Sequence, residues 1–180
     1  MRALAILSTA AVVAACASSG VSSSRPSTET VRVMGTGGGA VEMRSSNSGL
    51  ATTVHAPIAQ VWRVLPAAYD SVGVGVTMID AKEHVLANEG LKARQKLGKT
   101  VLSRYINCGA TQIGPNADSY DVYATVKTKL EDNGDSTTKI TTLFESAARP
   151  VQFSGDYSRC TTTGALEARI AEIIKLRVMK

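Results

Sequence analysis

The stretch YDVYATVKTKLEDNGDSTTKITTLFES, residues 120–146, constrains the fold more than any other part of the chain. Apolar and polar residues alternate on both sides of Asp132-Asn133-Gly134, which is the pattern of a long antiparallel hairpin with one buried face. A two-residue Asn-Gly loop would set Lys127 against Ile140, and Val122 against Glu145. A three-residue loop, Asp132–Gly134, sets Val126 against Ile140 and Val122 against Phe144. It aligns the apolar faces, so it is the expected register, with Gly134 left-handed as a bulge. A strand this long with one apolar face must be covered, and the flanking sequence supplies the cover.

Two segments have helical period. In APIAQVWRVLPAAYDSVG, Ile58, Val61, Trp62 and Leu65 form one stripe. Pro57 suits position N1, Pro66 is expected to kink the helix or start a second turn, and Gly73 to end it. In TTTGALEARIAEIIKLRVMK, Thr162 or Thr163 is the expected cap. Leu166, Ile170, Ile173, Ile174 and Arg177 form the stripe, and Glu167, Arg169, Glu172 and Lys175 the polar face.

Between the helices VGVTMID, EHVLANEGLKARQK and VLSRYINC read as strands, the last with Leu102, Arg104, Ile106 and Cys108 on one face. Upstream, VEMRSS and LATTVH read as a hairpin around Asn47-Ser48-Gly49. This order predicts an α+β domain: a curved antiparallel sheet with both helices on one face, gripping the C-terminal one.

The N-terminus is of another kind. Met1-Arg2 is followed by an apolar run to Ala15, too short for the ~20 residues of a membrane span and built like a secretory signal. Its end, Val13-Ala14-Ala15-Cys16, resembles the lipobox of bacterial lipoproteins. The resemblance implies a diacylglyceryl group on the Cys16 thiol and cleavage before Cys16. Ala17 in place of Asp implies sorting to the outer membrane, facing the periplasm. Residues 1–15 are thus expected as signal peptide, 16–30 as a Ser/Thr-rich tether of roughly 20 Å, and 31–180 as one α+β domain.

The chain has three cysteines. With Cys16 assigned to lipid, Cys108 and Cys160 remain, and in an exported domain they are expected to form a disulfide. That bond would pin the entrance of the last helix to the sheet.

The net charge is +5 without a Lys/Arg block, so no nucleic-acid partner is expected. GTGGGA, residues 35–40, imitates a dinucleotide loop but lacks the helix that must follow. KLGKT, residues 96–100, imitates the tail of a phosphate loop, yet Ala93 stands where its first glycine belongs, and a hairpin turn is expected instead.

His55 and His84 are the only histidines, and they lack ligand spacing with the cysteines, so no metal is expected. His84 reads as a solvent-facing strand residue. A hydrolase would need one of the histidines to meet a serine, such as Ser103, and a carboxylate among Asp70, Asp80, Glu83 and Glu89. No enzyme activity, cofactor or catalytic residue is expected. Aromatics make up 4% of the chain, which disfavours a sugar-stacking face. Trp62 reads as a core anchor, and Tyr105, Tyr120 and Tyr123 as strand residues.

The pattern PIAQVWRVL…VGVTMID, an apolar helix with Trp62 and then a strand ending at Asp80, is similar to the helix-grip domains of the BamC lipoprotein family, accessories of outer-membrane β-barrel assembly. LSRYINCG and CTTTGALEARI resemble a set of bacterial lipoproteins with no assigned role. These resemblances imply a non-catalytic envelope module that engages a protein partner. The alternative expectation is a carrier for a small apolar molecule or lipid, held in a cleft between the sheet and the C-terminal helix and lined by Val122, Val126, Ile140, Phe144 and Ile170.

Overall fold

The computed structural model describes residues 28–33, 41–46, 49–152 and 156–179. The segments expected as signal peptide and lipobox, most of the expected tether and the GTGGGA stretch lie outside these residues. Two long strands form the spine, β11 (Asp121–Asp132) and β12 (Thr138–Arg149). On the other side of β11 lies β5 (Val85–Arg94), which is flanked in turn by β4 (Met78–Asp80) and by a small hairpin, β6 (Lys96–Leu97) and β7 (Thr100–Val101). The far edge of β12 is shared. β3 (Leu50–Val54) pairs with Thr138–Thr142, and β13 (Ser158–Thr162) pairs with Ser146–Ala148. β8 (Ile106–Asn107) closes that side against β13. The two-residue strands β9 (Ala110–Thr111) and β10 (Gly114–Pro115) form a separate ladder. All pairings are antiparallel, and the α+β class follows.

The helices are α1 (Ile58–Ser71) and α2 (Ala165–Val178). Val61, Leu65 and Tyr69 of α1 and Leu166, Ile170, Ile173 and Ile174 of α2 share one core with the inward residues of the sheet. α1 runs unbroken through Pro66, contrary to the expected interruption. Pro66 has no N–H to give the Trp62 carbonyl, but the apolar stripe on either side of it is buried in the same core, and this packing outweighs one lost bond. Pro57 sits at the N-cap rather than N1. Gly73 follows the helix at φ +79° and touches Gly98, the turn residue of the β6–β7 hairpin, so closely that a Cβ on Gly73 would fall 2.6 Å from the Gly98 backbone. KLGKT is therefore the hairpin turn expected.

The register of the long hairpin differs from the expected one. Val126 lies opposite Phe144, Val122 opposite Ala148, and Leu130 opposite Ile140; the last pair is Asp132–Thr138, so the connection is Asn133–Thr137. The slip is even, so every side chain keeps its face. Bonds inside the loop fix the longer connection. The Asn133 N–H donates to the Thr137 carbonyl, the Gly134 N–H to Asp132 Oδ1, and the Thr137 N–H and hydroxyl to the Gly134 carbonyl. Gly134 is left-handed as expected, and Asp135 and Ser136 join it there. In this register Thr128 faces Thr142, and their buried hydroxyls lie 2.9 Å apart. The Tyr69 hydroxyl, 2.9 Å from Thr128 Oγ1 and 3.1 Å from the Leu86 carbonyl, completes a polar chain through the core. Burial pushes the Tyr69 phenol up to about 12, so it stays a donor.

Two further expectations are corrected. β2 (Val41–Ser46) pairs with β1 (Thr28–Val33), not with β3, which joins β12 instead. Leu102–Arg104 is a turn of 3-10 helix rather than strand. The Ser103 N–H and hydroxyl both donate to the Asp118 carboxylate, at 2.8 and 2.6 Å, and this side-chain bonding bends the segment before β8.

Candidate functional site

Cys108 and Cys160 form a disulfide, with 4.4 Å between their Cα atoms. It ties the end of β8 to β13 shortly before α2. Cys16, the expected lipidation site, lies outside the described residues.

The residues expected to line a carrier cleft, Val122, Val126, Ile140, Phe144 and Ile170, are all buried members of the common core. A cleft of about 290 Å³ does exist, but it opens elsewhere, beside a bulge at Glu89-Gly90 where β5 slips against Thr125 of β11. Of the expected lining it borrows only Phe144. The rest includes Tyr123, Glu145 and Arg159.

Tyr123 anchors the face of the sheet turned away from the helices. Its ring meets that of Tyr157 edge to face at 4.8 Å; Lys92 lies over Tyr123 and Arg149 over Tyr157, at 5.1 and 4.7 Å. The Lys92 ammonium beside it holds the Tyr123 phenol below its ordinary value.

The other candidates disperse. His55 is exposed. His84 is not a strand residue but sits in the turn before β5 at φ +50°, with its ring edge-on to Trp62 at 5.5 Å. Trp62 is half-buried against the rim of the core. Asp80 accepts the Lys82 and Glu83 N–H groups and so closes that turn. Ser103 is bound to Asp118. Among the described residues no hydrogen bond joins either histidine to a serine or a carboxylate, and no three metal-ligating side chains gather. Tyr105 is buried and Tyr120 half-buried.

Sequence reasoning placed Glu167 on the polar face of α2, yet it is 2% exposed. Glu167 Oε1 accepts the Thr162 hydroxyl at 2.8 Å, while Oε2 has no partner among the described residues. Burial raises its carboxyl above the ordinary value. The folded state therefore holds this proton more tightly than the unfolded state. Stability should fall as pH rises from the unfolded value through the raised folded one, then level off. We expect Glu167→Gln, which still accepts from Thr162, to melt higher than the wild type at pH 7 and to lose that fall. Parallel pH–melting curves for the two proteins would contradict it. The expected cap, Thr162 or Thr163, is corrected: Gly164 is the cap residue, while Thr162 Oγ1 accepts the Gly164 N–H and Thr163 Oγ1 the Ala165 N–H just ahead of the helix.

No known family matches this chain, and no curated protein matches it.

Proposed function

We propose that the chain is a lipid-anchored lipoprotein of the bacterial envelope whose α+β domain acts as a non-catalytic interaction or assembly module. The reading is carried by Val13-Ala14-Ala15-Cys16 at the end of a short apolar run, followed by a Ser/Thr-rich tether. A thiol at that place can take a thioether lipid, and small residues before it admit a peptidase. Several acyl chains on one residue exceed the two-signal threshold for stable anchoring. The disulfide supports an oxidising compartment. Ala17 favours the outer membrane, with the domain in the periplasm.

Cys16→Ser tests the anchor. After a high-salt wash the wild type should still sediment with membranes, and the variant should appear in the soluble periplasmic fraction. A variant that stays with the membranes as fully as the wild type would defeat the lipid reading.

A further inference from the structure

The strand register sorts the charges of the domain by end. At one end β5 finishes, β11 begins, β12 finishes and β13 begins: Asp121 pairs with both Arg94 and Arg149, and Ala148 with Ser158. Lys92, Arg94, Lys96, Lys99, Arg149 and Arg159 all belong to these strand ends or to the β6–β7 hairpin joined there through the Arg94–Lys96 pair. The carboxylates at this end are fewer. Asp118 is held by Ser103, Asp121 lies 3.9 Å from Arg94, Asp156 stands in the loop before β13, and Glu89 and Glu145 line the cleft next to Arg159 toward the middle of the sheet.

The opposite end carries the turn before β5 and the Asn133–Thr137 loop, which meet where the Leu130 N–H donates to the His84 carbonyl. Asp80, Glu83, Asp132 and Asp135 stand there with Lys82, and Glu131 is matched by Lys129 and Lys139. The domain is thus basic at one end of its strands and acidic at the other.

Exposed apolar side chains stand among these cations, as they also do elsewhere, at Ile79 of β4 and at Leu176 of α2. Ile113, at the tip of the β9–β10 hairpin, is 96% exposed. That hairpin leaves and rejoins the fold at the basic end, closed by the Asn116 side chain donating to the Cys108 carbonyl and its N–H to that of Gly109, just before β11. Val151, in the loop after Arg149, and Val101, on β7, are also exposed, as is Tyr123 beside Lys92, at 39%.

We infer that the basic end of the sheet docks on an anionic phospholipid surface, with Ile113 and Val151 entering the headgroup–acyl boundary and the surrounding lysines and arginines meeting the phosphates. Cations ringing isolated apolar tips and a tyrosine match a bilayer interface, where charge attraction and shallow apolar insertion add. An acidic protein partner would satisfy the charges but leave a single projecting isoleucine in need of a pocket. The inference rests on the envelope reading for which bilayer is met. It would orient the strands across the membrane plane and turn the acidic end toward the periplasm.

The test uses the full chain carrying Cys16→Ser, so that no acyl chain is attached, with vesicles of phosphatidylcholine alone or mixed with phosphatidylglycerol. Co-sedimentation should require phosphatidylglycerol and weaken with salt. Replacing Lys96, Lys99 and Arg159 by Gln should lower the partition coefficient on the order of a hundredfold, and Lys99→Gln alone about fivefold. Ile113→Asp should lower it about tenfold. Lys82→Glu with Lys139→Glu, at the acidic end, should leave it unchanged. All variants are in the same Cys16→Ser background, so a contribution from the N-terminal apolar run cancels, and melting temperatures establish that each is folded. Equal binding to both vesicle types, or anionic binding indifferent to the basic-end variants, would overturn the inference. Retention on heparin without vesicle binding would overturn it as well. Because the basic end would itself hold Cys16→Ser on anionic membranes at low salt, that variant is fractionated in cells after a high-salt wash, which strips charge-bound protein and leaves an acyl anchor in place, so either reading fails without the other.

Discussion

Removing the Cys108–Cys160 bond is expected to cost about 4 kcal/mol, the loop-entropy value for a 52-residue separation. The bond connects two weakly paired pieces. β8 contributes two residues to β13, and β13 three to β12, and beyond β8 the chain makes the long excursion from Gly109 to Tyr120 before rejoining the sheet. Without the bond, β8 and the β9–β10 hairpin are held by the burial of Ile106 and by a few hydrogen bonds, chiefly the Thr163 N–H and hydroxyl donating to the Tyr105 carbonyl. A loss of this size is a large part of the ~5–15 kcal/mol that holds an ordinary domain folded. In denaturant melts, Cys108→Ser with Cys160→Ser should therefore unfold far earlier than the oxidised protein, and the reduced wild type should follow the variant. The intact chain should gain about two mass units on reduction, since two thiols form from one disulfide. Coincident melts of oxidised and reduced protein would show that the bond pins nothing.

The parts of the fold legible in the sequence are those that depend on period. Both helices and the long hairpin announce themselves because burying one face imposes a repeat. Pairing the two remaining cysteines needed only a count. Period fixes the parity of a register but not its value. Val126 opposite Ile140 and Val126 opposite Phe144 serve the core face equally well. The choice between them lies in the hydrogen bonds of Asp132, Gly134 and Thr137 and in the Thr128–Thr142 contact, which no apolar pattern reports. Short-range polar bonding likewise hid the 3-10 turn at Ser103, where alternating residues suggested a strand.

Glu167 was misplaced because its charge was read ahead of its position. Ile170, Ala171 and Ile174 follow it at i+3, i+4 and i+7, so a helical wheel sets it on the buried face and away from Arg169 and Glu172, and the preceding strand supplies Thr162 as the partner of its carboxylate. The candidate surface was the least legible part. Lys92, Arg149 and Arg159 are distant in sequence and become neighbours only once the order β5–β11–β12–β13 is known, so no charge run marked them.

Ile170→Ala decides how the space between sheet and helix is used. Ile170 is fully buried on α2 among the residues that a carrier would need to leave apart, Val122, Val126, Ile140 and Phe144. In a packed core, truncating an isoleucine removes its transfer free energy and leaves a void that its neighbours only partly close, for a cost of about 2–5 kcal/mol. If the inward faces instead lined a ligand chamber, the isoleucine would have fewer partners to lose. The cost would then fall toward the ~1–2 kcal/mol of transfer alone, and saturating apolar ligand would raise the melting temperature of the wild type. We expect the full cost, and no wild-type shift with a fatty acid or a phospholipid monomer. Native mass spectrometry of the wild type, secreted and purified without detergent, should give a clean apo mass. A stoichiometric adduct together with a small penalty for Ile170→Ala would transfer the function to the carrier reading. The full penalty leaves the outer face and the basic end as the surfaces through which this domain acts, because a core filled by its own side chains has only its exterior to offer.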